Sequence, residues 1–189
     1  MGRKSERLAL KNCQEVFRWD QWNCPTEDFF LKKSSNSLDR EGAFVKAITV
    51  AAVIYTSIKN CSANFMEYIA GNIRKMYDHG IKVSFDNTGR VKRNIKSESL
   101  VYLENSPNYC RENVTEGWPG MRGRQCSRRK KDASSLQERR SCRKLCRACG
   151  LKVKKKQGIK QNLCKCKFFW CCDVQCETCQ EVINEYFCY

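Results

Sequence analysis

The run REGAFVKAITVAAVIYTSIK, residues 40–59, carries Phe44, Ala47, Ile48, Ala51, Ile54, Tyr55 and Ile58 at spacings of three and four. An α-helix turns once in about 3.6 residues, so these side chains share one stripe and predict a core helix with one buried face. FMEYIAGNIRKMYDHG repeats the period with Phe65, Ile69, Ile73 and Met76, and Gly80 supplies a stop. The two helices are expected to pack on each other. Residues 8–22 have similar spacing in Leu10, Val16, Phe17 and Trp19, with Cys13 and Cys24 placed to tie them to the turn at Pro25. From Ile81 the period shortens to two in IKVSF and LVYLE, with the turn residues DNTGR following the first, which predicts minor strands. Beyond Ser106-Pro107 the pattern breaks into GWPGMRG, SRRKKDASS and KVKKKQG, and the expected form is two or three disulfide-braced hairpins with basic loops.

Cysteine content divides the chain further. Of 15 cysteines, only Cys13, Cys24 and Cys61 precede Cys110. The first part can rely on an apolar core, whereas a loop-rich segment buries too little surface to fold without covalent or metal staples. The fold class expected is therefore α+β, a helical N-terminal part followed by a disulfide-rich C-terminal domain of β-hairpins. Charge is lopsided as well: 17 Lys and Arg against 12 Asp and Glu in residues 1–109, then 19 against 8 in residues 110–189, for a total of +16. Such a field seeks a polyanion, and nucleic acid, sulfated sugar or an anionic membrane would each satisfy it.

Several classes are disfavoured. The apolar run from Ala47 to Ile58 is well short of the roughly 20 residues that cross a bilayer. The opening MGRKSERLALKNC has no apolar stretch of the length a secretory leader needs. A single histidine, His79, with no paired-carboxylate motif, P-loop or glycine-rich nucleotide turn, leaves little for catalysis, so neither an enzyme nor a cofactor is expected. His79 is expected to cap its helix.

The stretch CKCKFFWCCDVQCETC, residues 164–179, packs six cysteines around an uncharged aromatic tip. Thiols at this density are either cross-linked or bound to metal. Cys146-x2-Cys149 and Cys176-x2-Cys179 are knuckle-type zinc pairs, and a basic zinc module would bind nucleic acid. Against zinc, four further cysteines lie between the pairs, and the adjacent Cys171 and Cys172 are awkward ligands for one tetrahedral ion. The sequons Asn60-Cys61-Ser62 and Asn113-Val114-Thr115 point instead to an oxidising compartment. Both readings stand on these residues alone.

WNCP at residues 22–25, AFVKAITVAAVIYTSIKNCS at 43–62, LENSPNYC, GRQC, ERRSCRKLCRACG, the cysteine-dense stretch and a terminal YFCY together resemble the Wnt family of secreted signalling glycoproteins, most closely its Wnt-eight subgroup. The resemblance implies a helical domain over residues 1–98, interrupted after Ser62, and a cysteine-knot-like domain over 99–189 with a hairpin finger at 164–179. It implies the pairs Cys13 with Cys24, Cys110 with Cys149, Cys126 with Cys142, Cys146 with Cys188, Cys164 with Cys179, Cys166 with Cys176, and Cys171 with Cys172, and no metal. It also implies that Phe168, Phe169, Trp170, Cys171, Cys172 and Val174 touch the cysteine-rich domain of a Frizzled receptor. An LRP-type co-receptor and heparan sulfate are the further partners, and nucleic acid is not one. The basic residues Arg128, Arg129, Lys130, Lys131, Lys154, Lys155 and Lys156 would meet the sulfated sugar, and Asn60 and Asn113 would carry glycans in the extracellular space. A bond between Cys171 and Cys172 would close a tight ring, because consecutive Cα atoms lie about 3.8 Å apart, under the usual disulfide range of about 4.4–6.8 Å.

One family feature is missing. The lipid-bearing pattern C-H-G-x-S-G-S-C does not occur; after Ser62 the chain passes directly to ANFMEYIAGN, so no serine here inherits the acceptor role. Cys61 is left as the unpaired cysteine of an odd total. A buried acyl chain contributes about 0.8 kcal/mol per CH₂, so the finger alone is expected to bind weakly. Three readings follow: a Wnt-type ligand with an absent block, a truncated antagonist or weak binder, and the zinc-containing nucleic-acid module.

Overall fold

The computed structural model describes residues 3–58, 64–92, 95–128, 136–169 and 173–189. They form two compact units, residues 1–120 and 121–189. The first holds four helices, α1 (Arg3–Val16), α2 (Glu27–Asn36), α3 (Arg40–Ser57) and α4 (Phe65–Asp78). Two of the starts have a local cause. Thr26 Oγ1 accepts from Phe29 N at 3.2 Å to open α2, and Asp39 Oδ1 accepts from Gly42 N at 2.8 Å to open α3. Asp39 also pairs with Lys33, and both side chains are buried.

Aromatic packing holds these helices together. Phe17 lies edge-on to Trp22, Phe44 and Tyr77 at ring separations of 4.5, 4.8 and 4.9 Å. Burying each such ring stabilises by about 1.5–3 kcal/mol. The Arg74 guanidinium sits 4.4 Å from the Phe17 ring centroid, bonded to Asp20 at 3.0 Å and to Asp78, so its charge is paired where it leaves water. Glu41 Oε1 accepts from Tyr77 Oη at 2.6 Å and Ser106 Oγ at 3.0 Å. Burial, reinforced by the Glu41 carboxylate, raises the Tyr77 and Tyr109 hydroxyls above their ordinary pKa.

The buried stripes are turned relative to those expected. In α3 the ladder is Phe44, Ile48 and Ala52 with Val45 and Thr49, while Val50 and Ile54 face solvent with Ile58 beyond the helix end. In α4 Met66, Ala70 and Ile73 point inward and Phe65 is exposed. An all-apolar run leaves the choice of face to neighbouring elements, and here the smaller Ala52 and Ala70 allow close helix approach. Cys13 joins Cys24, closing α1 onto the following turn. His79 Nδ1 lies 2.9 Å from Lys75 O at the end of α4. Two short strands, β1 (Ile81–Lys82) and β2 (Val101–Tyr102), pair in parallel, and Leu103 N donates to Leu38 O at 2.8 Å. Trp118 packs 5.4 Å from Phe29, and residues up to Gly120 belong to the same compact unit as the helices.

The second unit contains β3 (Gln125–Cys126), α5 (Leu136–Arg139), α6 (Ser141–Leu145), a 3₁₀ turn (Arg147–Cys149) and two long strands, β4 (Val153–Phe169) and β5 (Asp173–Cys188). Their order in the sheet is β3-β5-β4, all antiparallel neighbours. Where several loop-rich hairpins were expected, the described residues form helical turns around Cys142, Cys146 and Cys149 and one hairpin far longer than residues 164–179. Among the described residues no helix is long and apolar enough to cross a membrane.

Candidate functional site

The hairpin is anchored at its base. Cys126 is bonded to Cys142 and Cys146 to Cys188, and Leu145, Cys146 and Cys188 are buried there. Cys110 and Cys149 are each disulfide-bonded too. From this base β4 and β5 pair continuously, from Val153 opposite Cys188 to Cys164 opposite Glu177. The register then shifts, and pairing resumes from Lys167 opposite Gln175 to Phe169 opposite Asp173. Three steps on β4 match two on β5, the arithmetic of a β-bulge. Lys165 at the bulge has φ 47°, the left-handed region that few side chains enter.

Two rungs bracket this bulge, Cys164 with Cys179 and Cys166 with Cys176. The cysteine spacing runs the other way, two steps on β4 against three on β5, so the first rung reaches diagonally: Cys164 stands opposite Glu177 and bonds to Cys179. Beyond the rungs, Phe168 and Val174 stand opposite each other, 72 % and 55 % exposed, and Phe169 is 46 % exposed. Apolar side chains so exposed at the end of a braced rod bind with little loss of freedom. Trp170, Cys171 and Cys172 lie outside the described residues.

The basic residues do not form one patch. Consecutive strand positions alternate, so Lys155, opposite Tyr186, lies on the face away from Lys154 and Lys156. Lys154 sits 5.0 Å from the Tyr189 ring and Lys156 5.3 Å from the Phe187 ring, while Arg128 lies 5.6 Å from Tyr186. Exposed Arg139, Arg140, Arg143, Lys144 and Arg147 gather along α5, α6 and the turn after them. The period of ERRSCRKLCRAC, with Ser141, Cys142, Leu145 and Cys146 buried, could have revealed this helical run. Arg129, Lys130 and Lys131 lie outside the described residues, as do Asn60 and Cys61. Asn113 is exposed in a turn, its Oδ1 accepting from Glu116 N at 3.2 Å. Among the described residues no three His, Cys, Asp or Glu side chains gather to hold a metal.

Comparison with known proteins adds an identity to this geometry. The model of the wnt family matches residues 3–68 and 64–189. The chain is 28 % identical to the Wnt inhibitor of Dorsal protein of Drosophila melanogaster over 270 aligned positions, covering 98 % of this chain and 87 % of that protein. It is 28 % identical to Protein Wnt-8a of Danio rerio over 288 positions, covering 95 % and 80 %. To Protein Wnt-8 of Xenopus laevis it is 35 % identical over 148 positions, covering 70 % and 41 %. The first two alignments exceed the 189 residues available, so those relatives carry internal residues without counterparts here. A chain of the solved structure of human WLS in complex with WNT8A superposes with a TM-score of 0.74 at 22 % identity, covering 98 % of this chain and 91 % of that one. That likeness establishes the mixed helical and stranded fold. The disulfide-anchored hairpin, the helical unit before it and matches reaching from residue 3 to residue 189 all belong together: this chain is a member of the Wnt family.

Proposed function

We propose that this chain is a secreted Wnt-type ligand that contacts the cysteine-rich domain of a Frizzled receptor through the tip of its hairpin. The observation that carries the proposal is the exposure of Phe168, Phe169 and Val174 at the end of a rod braced by two disulfides. Trp170, Cys171 and Cys172 continue the same contact in sequence. An LRP-type co-receptor would complete a signalling complex, and Asn60 and Asn113 would carry glycans.

Phe168→Ala tests the contact. Loss of an aromatic anchor at the centre of an interface costs about 2 kcal/mol, roughly a thirtyfold rise in Kd. Titration of immobilised Frizzled cysteine-rich domain with the oxidised chain reads this directly. Equal affinity of variant and parent would remove the tip from the contact.

A second reading has its own observation. The missing C-H-G-x-S-G-S-C pattern, together with the relatives' unmatched internal residues, favours occupancy of the receptor without full signalling, hence antagonism. The zinc-containing module loses support because Cys146, Cys149, Cys176 and Cys179 are all disulfide-bonded in the structure. The cations of α5, α6 and the hairpin base would hold the protein at heparan sulfate.

A further inference from the structure

We propose that the receptor contact continues from the tip along one entire face of the finger, through Leu163 as far as Ile159 and Val182, a proposal that rests on the tip reading above. Side chains alternate along β5, so Val174 and Val182, an even number of residues apart, share a face. The pairings of Ile159 with Val182 and Leu163 with Thr178 put both β4 residues on that face. Simple alternation would turn Phe168 away from Leu163, five residues earlier. The extra residue at the bulge reverses this, and Phe168 emerges opposite Val174 on the same side. Five apolar side chains thus form one row, and Ile159, Leu163 and Val182 are 68 %, 73 % and 68 % exposed.

Charge is sorted between the two faces. Between Lys155 and Phe168 the row is flanked by uncharged residues such as Gln157, Gln161 and Gln180. Lys156, Lys160, Glu181 and Glu185 alternate onto the other face. Lys165, at the bulge, pairs with Glu177, also on that other face, at 3.1 Å. Removing charge from water is the expensive part of forming an interface, so the uncharged face is the one that desolvates readily. Its length from Phe168 to Ile159 is about 30 Å at about 3.3 Å per residue.

The occupant is the receptor domain that takes the tip, because the row is continuous with the tip and needs a partner with an elongated apolar trough. A second copy of the chain is the weaker match, since two bodies of charge +16 repel.

Four forms of the full, oxidised chain decide the matter in titrations against the Frizzled cysteine-rich domain: the parent, Phe168→Ala, the pair Ile159→Gln with Val182→Gln, and the pair Lys160→Gln with Glu181→Gln. All substitutions are at exposed positions, and unchanged far-UV circular dichroism and Tm establish that each variant folds. The row variant is expected to bind about tenfold more weakly or worse, and the other-face variant within twofold of the parent. If Phe168→Ala weakens binding while the row variant does not, the contact ends at the tip and the extension is overturned, with the tip reading intact. If the parent does not bind, or neither variant weakens binding, both fall. A row variant that loses only self-association in sedimentation velocity, with receptor affinity kept, would make the face a seam between copies and overturn the proposal.

Discussion

Gly42 sits in the first turn of α3, and a Cβ built there would lie 2.7 Å from Ser37 O and 2.8 Å from Ser37 Cβ. Both neighbours belong to the short connection that Asp39 and Lys33 lock in place, so neither can move cheaply. Gly42→Ala is expected to destabilise the helical unit by about 1–3 kcal/mol, read as a lowered midpoint in urea. An unchanged midpoint would mean the connection yields. Sequence pattern alone did not expose this contact, since glycine near a helix start reads as an ordinary weak helix former. Phe168 and Val174 are exposed because the end of a hairpin offers them no core to enter. The inward residues of α4 were harder to place: FMEYIAGNI offers Phe65 and Met66 equally, and only the packed partner selects Met66.

At the level of elements, β4 and β5 were written in the cysteines but not in hydrophobic alternation. Ile159, Leu163 and Val182 show period-two character on one face only, among lysines and glutamines that look like loop composition. The length of the hairpin was therefore missed, and so were α5 and α6, whose short amphipathic period is interrupted by Cys146 and Gly150. The bulge was not legible in the cysteines, because C-x-C facing C-x-x-C would put the extra residue on β5, and the structure puts it on β4. Lys165 carries the conformational cost of that step. Glycine enters the left-handed region freely, whereas a β-branched residue does so at a cost of about 1–2 kcal/mol or more. Lys165→Gly is expected to keep or raise the Tm of the oxidised protein, and Lys165→Val to lower it. The opposite order would refute the assignment of strain to this residue. Lysines along β4 have a second effect: they discourage edge-to-edge pairing of a long strand whose outer side has no neighbour among the described strands.

For the molecule as a whole, charge and cysteine distribution both pointed to two parts held by different forces, and the first compact unit runs to Gly120. The reason is that Tyr109 and Trp118 bury their rings against the helical unit, an aromatic contribution that cysteine counting overlooks. The excess of 19 cations over 8 anions after Cys110 makes a further expectation. Binding to heparin should weaken steeply between about 50 mM and 200 mM salt, as counterion release dictates for a polyanion contact. Replacing Arg139, Arg143 and Arg147 together by glutamine should flatten that slope in affinity chromatography, while the same change at Lys154 and Lys156 should matter less, since each already faces an aromatic ring. Equal effects would contradict the uneven placement of charge described for the hairpin base.

The two rungs beside the tip also govern what a protease could accomplish. A cut anywhere between Cys166 and Cys176 leaves both new ends tethered through sulfur, so the nicked protein gains the mass of a water and sheds no fragment until a reductant is added. Damage at the end of the finger would therefore stay hidden on a non-reducing gel while loosening the geometry the tip needs.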